Sequence, residues 1–102
     1  MVFIYTTCRD IKQAKELGEK IMRARVAACV NIWPIESIYW GNGELVKDKE
    51  AVLIIKTQEK KIAEIEEFLK KYHTYSTPFV AGVHIDRINI DYQNWANQQI
   101  VM

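Results

Sequence analysis

Between Ala27 and Thr57 the chain carries two apolar runs, Ala27-Ala28-Cys29-Val30-Asn31-Ile32 and Ala51-Val52-Leu53-Ile54-Ile55-Lys56-Thr57, joined through Tyr39-Trp40 and the polar stretch Gly41 to Glu50. The pattern predicts one very long β-hairpin. Each arm exceeds the usual strand of about 5–6 residues. An over-long ribbon on a small domain leaves apolar surface and edge hydrogen-bonding groups uncovered, so another subunit is the expected cover. Pro34 interrupts the first arm and cannot donate to a ladder, which predicts a bend or bulge there. Gly41-Asn42-Gly43 supplies residues that tolerate positive φ for the turn or a nearby bulge.

The segments around the hairpin fix the topology. Val2 to Thr7 is a short apolar run that reads as a buried strand. Asp10 is placed to cap a helix whose apolar stripe is Ile11, Ala14, Leu17, Gly18, Ile21 and Met22. Gln58 to Tyr72 repeats the helical period, with Ile62, Ile65, Phe68, Leu69 and Tyr72 on one face, and the break from His73 to Pro78 ends it. Phe79 to Ile85 reads as a fourth strand, with Val83 and Ile85 alternating against His84 and Asp86. A last short helix from about Ile90 carries Tyr92 and Trp95 three residues apart. The fold class is therefore α+β: a ferredoxin-like βαββαβ sandwich of two split βαβ units, with a long β2–β3 hairpin and a short C-terminal helix.

At 102 residues and 49% hydrophobic, the chain suffices for one core, so residues 1–102 are expected to form a single domain. A formal charge of +1 provides no bulk attraction for nucleic acid or an anionic membrane. Cys8 and Cys29 stand far apart without metal-ligand spacing, which argues against structural zinc and against a disulfide-stapled secreted fold. No apolar stretch approaches the roughly 18 residues of a membrane span, and the N-terminus lacks a basic leader region. These features predict a cytoplasmic protein.

Catalytic signatures are missing from the sequence. There is no Ser/His/Asp or Cys/His arrangement in a recognisable context and no phosphate loop, so a non-enzymatic role is expected. An acylphosphatase on this topology would want a glycine-bearing loop after the first strand, whereas Thr7-Cys8-Arg9-Asp10 has none. An RNA-recognition domain would stack bases on strand aromatics, whereas Ala51-Val52-Leu53-Ile54-Ile55 offers aliphatics alone.

Six ordered blocks then resemble the divalent-cation tolerance proteins of the CutA family. They are Tyr5-Thr6-Thr7, Arg25 to Asn31, Tyr39-Trp40 with Gly43 to Glu50, Lys56-Thr57, His73-x-Tyr75-x-x-Pro78, and Tyr92-x-x-Trp95. The resemblance covers nearly the whole chain. It implies a homotrimer with a metal-response role, copper or another divalent ion as a possible ligand without a required cofactor, and intersubunit clefts on the plan of the PII signalling proteins. A structural trimer that anchors another protein is the alternative. Two residues depart from the family's usual pattern: Thr74 stands where a proline is usual, and Phe79 where an acidic residue often follows the proline. A phenyl ring cannot ligate a cation.

Individual residues refine this expectation. Glu50 and Lys56 have the same strand parity and can share a face, which suggests a cleft for a small anionic or metal-bearing ligand, with Lys56 supplying charge and Tyr39, Trp40 and Tyr75 supplying walls. His73 is the first choice for a metal contact, as histidine is the commonest neutral nitrogen ligand, while helix capping is its structural role. Cys29 is the second choice, although a cysteine in an apolar strand usually packs as a small hydrophobe. Tyr75 and Glu50 are the residues expected to complete any metal site formed with a second subunit.

Overall fold

The computed structural model describes residues 1–101. It contains β1 (Val2–Cys8), α1 (Ile11–Arg23), β2 (Cys29–Gly41), β3 (Glu44–Thr57), α2 (Ile62–Tyr72), β4 (Val80–His84) and α3 (Ile90–Gln99). The strands form one antiparallel sheet in the order β2-β3-β1-β4. β3 lies between β1 and β2, as the split βαβ order requires.

The helical elements follow from local chemistry. Asp10 caps α1: its Oδ1 accepts the Gln13 backbone N–H at 2.8 Å, and that bond holds the Asp10 carboxyl below its ordinary range. Gly18, in the middle of α1, lets the helix approach the sheet closely, because a Cβ built there would stand 3.1 Å from Val30 Cγ2. α2 starts later than the sequence predicts, at Ile62, because Glu59–Lys61 form a 3₁₀ turn. Tyr72 is 40% exposed rather than on the apolar stripe; its ring lies against Phe68 and beneath Lys20 and Lys71 at the solvent side.

One side of the sheet meets α1 and α2. Ile4 and Cys8 of β1 and Ala51, Leu53 and Ile55 of β3 pack there with Ala14, Leu17, Ile21, Ile65 and Leu69. Burying each large aliphatic stabilises the fold by roughly 1.5–3 kcal/mol. By strand alternation the other side carries Phe3, Tyr5 and Thr7, then Trp33, Ile35 and Tyr39, then Glu50, Val52, Ile54 and Lys56. α3 covers one end of it, where Ala96 and Ile100 pack with Ala28 and Tyr92. β4 is shorter than the expected Phe79 to Ile85, and Val83 is half exposed because it pairs with Phe3 on the side away from α1 and α2.

The hairpin is as long as the sequence implies. β2 has 13 residues and β3 has 14, and pairing is unbroken from Cys29–Lys56 to Gly41–Glu44. The bulge expected at Pro34 is absent, and Pro34 pairs in register with Ala51. β2 has one neighbour only, and such an outer strand accommodates a proline. Asn42 and Gly43 both take positive φ, 51° and 78°, which closes the two-residue turn. The ribbon projects past the helices and stretches the subunit to 46 × 26 × 21 Å.

Candidate functional site

The segment between α2 and β4 is pinned to the sheet by three hydrogen bonds in series. His73 Nδ1 accepts the Tyr75 backbone N–H at 3.0 Å, which leaves the ring proton on Nε2. That Nε2–H donates to the Thr7 carbonyl at 2.8 Å. The Tyr75 hydroxyl then donates to Glu50 Oε2 at 2.5 Å. One histidine thus fixes the loop to β1, and the loop's tyrosine reaches β3.

A second tie comes from Gln13, only 2% exposed. Its Oε1 accepts the Arg9 backbone N–H at 2.7 Å, and its Nε2 donates to Thr74 Oγ1 at 2.6 Å. Thr74 therefore has a local purpose, because a proline at that position would offer Gln13 no acceptor on its side chain. Gln13 is not among the residues that the sequence singles out. Its signal was the Asp10-x-x-Gln13 spacing of a capping box, here turned toward Arg9 and Thr74.

Thr7, Tyr39, Glu50, Tyr75, Thr77 and Phe79 line a cleft of about 480 Å³. Phe79 stands edge-on to Tyr5, with ring centroids 5.8 Å apart. Tyr39 donates its hydroxyl to Asp48 Oδ2 at 3.2 Å. Desolvation, followed by the hydrogen bond to Glu50, raises the Tyr75 phenol above its ordinary value. Tyr39 is raised in the same direction, by desolvation first and by Asp48 next. Both phenols are O–H donors at neutral pH.

The residues expected to share this cleft divide into two groups. Tyr39, Glu50 and Tyr75 meet there. Trp40 does not: it is 75% exposed near the ribbon tip, and strand alternation turns it to the side opposite Tyr39. Lys56 lies toward the other end of the sheet, its Nζ 5.6 Å from the Phe3 ring centroid and 5.5 Å from that of Tyr92. Among the described residues no basic side chain lines the cleft.

The metal expectation meets a similar separation. Both ring nitrogens of His73 are engaged in the loop's own hydrogen bonds, so neither presents a free lone pair. Cys29 is half-buried beside Lys56 on the outer strand β2, whereas His73 sits at Thr7 of β1, two strands across and four residues further along, so more than about 13 Å away at ~3.3 Å per residue. Among the described residues no group of three or more His, Cys, Asp or Glu side chains is placed to hold a metal ion. Within one subunit these residues do not fit a metal centre. Cys8 is buried, and burial, reinforced by Asp10 and Glu50, pushes its thiol up to about 11, so it is an inert core residue.

A four-stranded antiparallel sheet backed by two helices, with an overhanging hairpin and a third helix across the other side, defines the structural class. The sequence profile of the CutA1 divalent ion tolerance protein family matches residues 2–99, and the chain belongs to that family. It is 37% identical over 101 residues to the divalent-cation tolerance protein CutA of Thermotoga maritima, covering 99% of this chain and 100% of the relative. The crystal structure of CutA1 from Pyrococcus horikoshii superposes with a TM-score of 0.97 at 30% identity and covers 100% of both chains. A protein from Archaeoglobus fulgidus described as a periplasmic divalent cation tolerance protein CutA superposes with a TM-score of 0.92 at 32% identity, over 97% of this chain and 98% of its own. No helix among the described residues is long and apolar enough to cross a membrane.

Proposed function

We propose that this divalent-cation tolerance protein acts as a homotrimer without turnover, a metal-response module on a PII-like plan that binds a small ligand in clefts completed between subunits. The observation that carries the reading is the uncovered apolar surface of the hairpin and of the sheet side it extends. Ile38 is 65% exposed, Trp40 75% and Leu45 54% on one side of the ribbon, while Trp33, Tyr39, Phe79 and Val83 are 40% or more exposed on the other. Apolar surface on both sides of a paired ribbon is the mark of an interface. The edge of β2 is also free, and a neighbouring ribbon would satisfy its hydrogen-bonding groups.

The cleft lies beside that surface, so a ligand held by Glu50 and Tyr75 would be felt at the assembly. Two free cysteines support a reducing, cytoplasmic setting. Sedimentation velocity tests the assembly: the expected species has three times the 11.9 kDa subunit mass. A stable monomer at micromolar concentration would remove the basis for intersubunit clefts. A trimer that binds no small molecule but retains a protein from its source cells would favour the anchoring role.

A further inference from the structure

We propose that the cleft takes a small organic cation, a primary alkylammonium, with its charge on Glu50 and its carbons against Phe79 and the two phenol rings. The inference rests on the ligand-cleft reading above and names the class of ligand.

Charge supports it first. Glu50 is the single charged residue among the six that line the cleft, and the remainder are hydroxyls and a phenyl ring. Asp48 adds a second negative charge next to it through Tyr39. Lys47 and Lys49 alternate to the opposite side of the ribbon, and Lys56 lies over Phe3 and Tyr92. An anionic ligand, one of the two kinds the sequence suggests beside a metal-bearing one, would meet like charge and no cation from this subunit.

Hydrogen-bond polarity supports it independently. The Tyr75 and Tyr39 hydroxyls donate their protons to Glu50 and Asp48, so each presents only lone pairs to the cleft. Glu50 Oε1 is left to accept a further bond, because Tyr75 engages Oε2. The carboxylate and the two phenols thus offer acceptors, to which the Thr7 and Thr77 hydroxyls can add theirs, and an ammonium group is a donor with no acceptor. Phe79 is 55% exposed, and an aromatic face attracts a cation within about 6 Å of its centroid. A metal ion fits less well, since one carboxylate without a histidine or second acid in the lining is a poor donor set. The volume of about 480 Å³ falls in the range of small-molecule sites, roughly 300–1,000 Å³.

The test is ligand-observed NMR on the assembled protein with three probes of one shape: n-butylammonium, n-butanol and butyrate. Saturation transfer to n-butylammonium is expected, with weaker transfer to n-butanol and none to butyrate. Glu50→Gln should weaken n-butylammonium by about tenfold, in line with the loss of a charge-assisted bond. Should Glu50→Gln disturb assembly by sedimentation, Thr77→Lys replaces it as the decisive variant, because its own ammonium group would compete for Glu50 and abolish binding. Butyrate binding more tightly than n-butylammonium, or n-butanol matching it, overturns the cation assignment and leaves the ligand cleft standing. Binding that persists in both variants overturns it too. If none of the three probes contacts the protein, the assignment and the cleft reading fail together.

Discussion

The half of the hairpin nearest the helices and the half beyond them share one unbroken ladder, and only the first is covered. In the base half, Ala51, Val52, Leu53 and Ile55 are buried, and Pro34 of the facing strand pairs in register without a bulge. In the outer half, from Ile35 to Glu50, the same alternation exposes Ile38, Trp40 and Leu45 on one side and Tyr39 on the other. The β2–β3 ladder therefore runs through both halves, but only from Ala51 to Thr57 does β3 gain a second ladder, to β1, and only there is the apolar term, which dominates stability, realised within the subunit. The difference shows that backbone pairing specifies where a strand runs and that side-chain cover decides what it is for.

The largest effect that would break this comparison lies in the base half. Ile55 is fully buried between β1 and the helices, and Ile55→Ala is expected to cost about 2–5 kcal/mol, read as a lower denaturant midpoint. Trp40, in the outer half, should behave oppositely. Trp40→Ala is expected to leave subunit secondary structure intact and to weaken the proposed assembly by about 2–4 kcal/mol, seen as dissociation on dilution. Unchanged mass with a lowered melting temperature would mean that Trp40 acts within the subunit and that the two halves are alike.

Cys8 sharpens the comparison through pH. Its folded-state pKa is raised from 9.0 to about 11, chiefly by burial, so the folded chain holds the thiol proton more tightly than the unfolded chain. That contribution is fully present below pH 9 and is lost as pH rises toward 11, about 2–3 kcal/mol over the window. Tyr39 and Tyr75 are raised too and add to the alkaline slope, so the informative measurement is the difference between wild type and Cys8→Ala in urea melts at pH 8 and pH 11. The variant should lose less stability on going alkaline. Parallel loss would mean that the base half admits water at Cys8.

Much of the fold was legible because its signals are local. The apolar periods of α1 and α2, the Asn42-Gly43 turn and the β-branched run at Val52 to Ile55 each determine their own structure. Pro34 misled because its effect depends on whether β2 is an outer strand, and that is a property of the sheet rather than of the segment. The cleft was half legible. Strand parity correctly put Glu50 and Lys56 on one side, but parity carries no distance, and six residues of strand separate the carboxylate from the ammonium. His73 looked like a ligand because the sequence cannot show that Tyr75 N–H and the Thr7 carbonyl engage its two nitrogens. Gln13 went unnoticed since its partner Thr74 lies 61 residues away.

The smallest effect sits at the turn that ends the outer half. Gly43 has φ +78°, and a Cβ built on it meets nothing within 4 Å, so Gly43→Ala would introduce backbone strain without a clash. A left-handed alanine costs roughly 1–2 kcal/mol, which favours a change of turn type over tolerance. Because the outer half lacks a core of its own, that strain should fray the tip ladder, Trp40–Leu45 and Gly41–Glu44, while leaving Ile55 and its neighbours protected. Amide exchange resolves the two halves in one experiment: faster exchange confined to residues 39–46 is expected in the variant. If protection were lost equally at Leu53 and Ile55, the hairpin would be a single cooperative unit, and the division between a covered base and an uncovered tip would have no energetic counterpart.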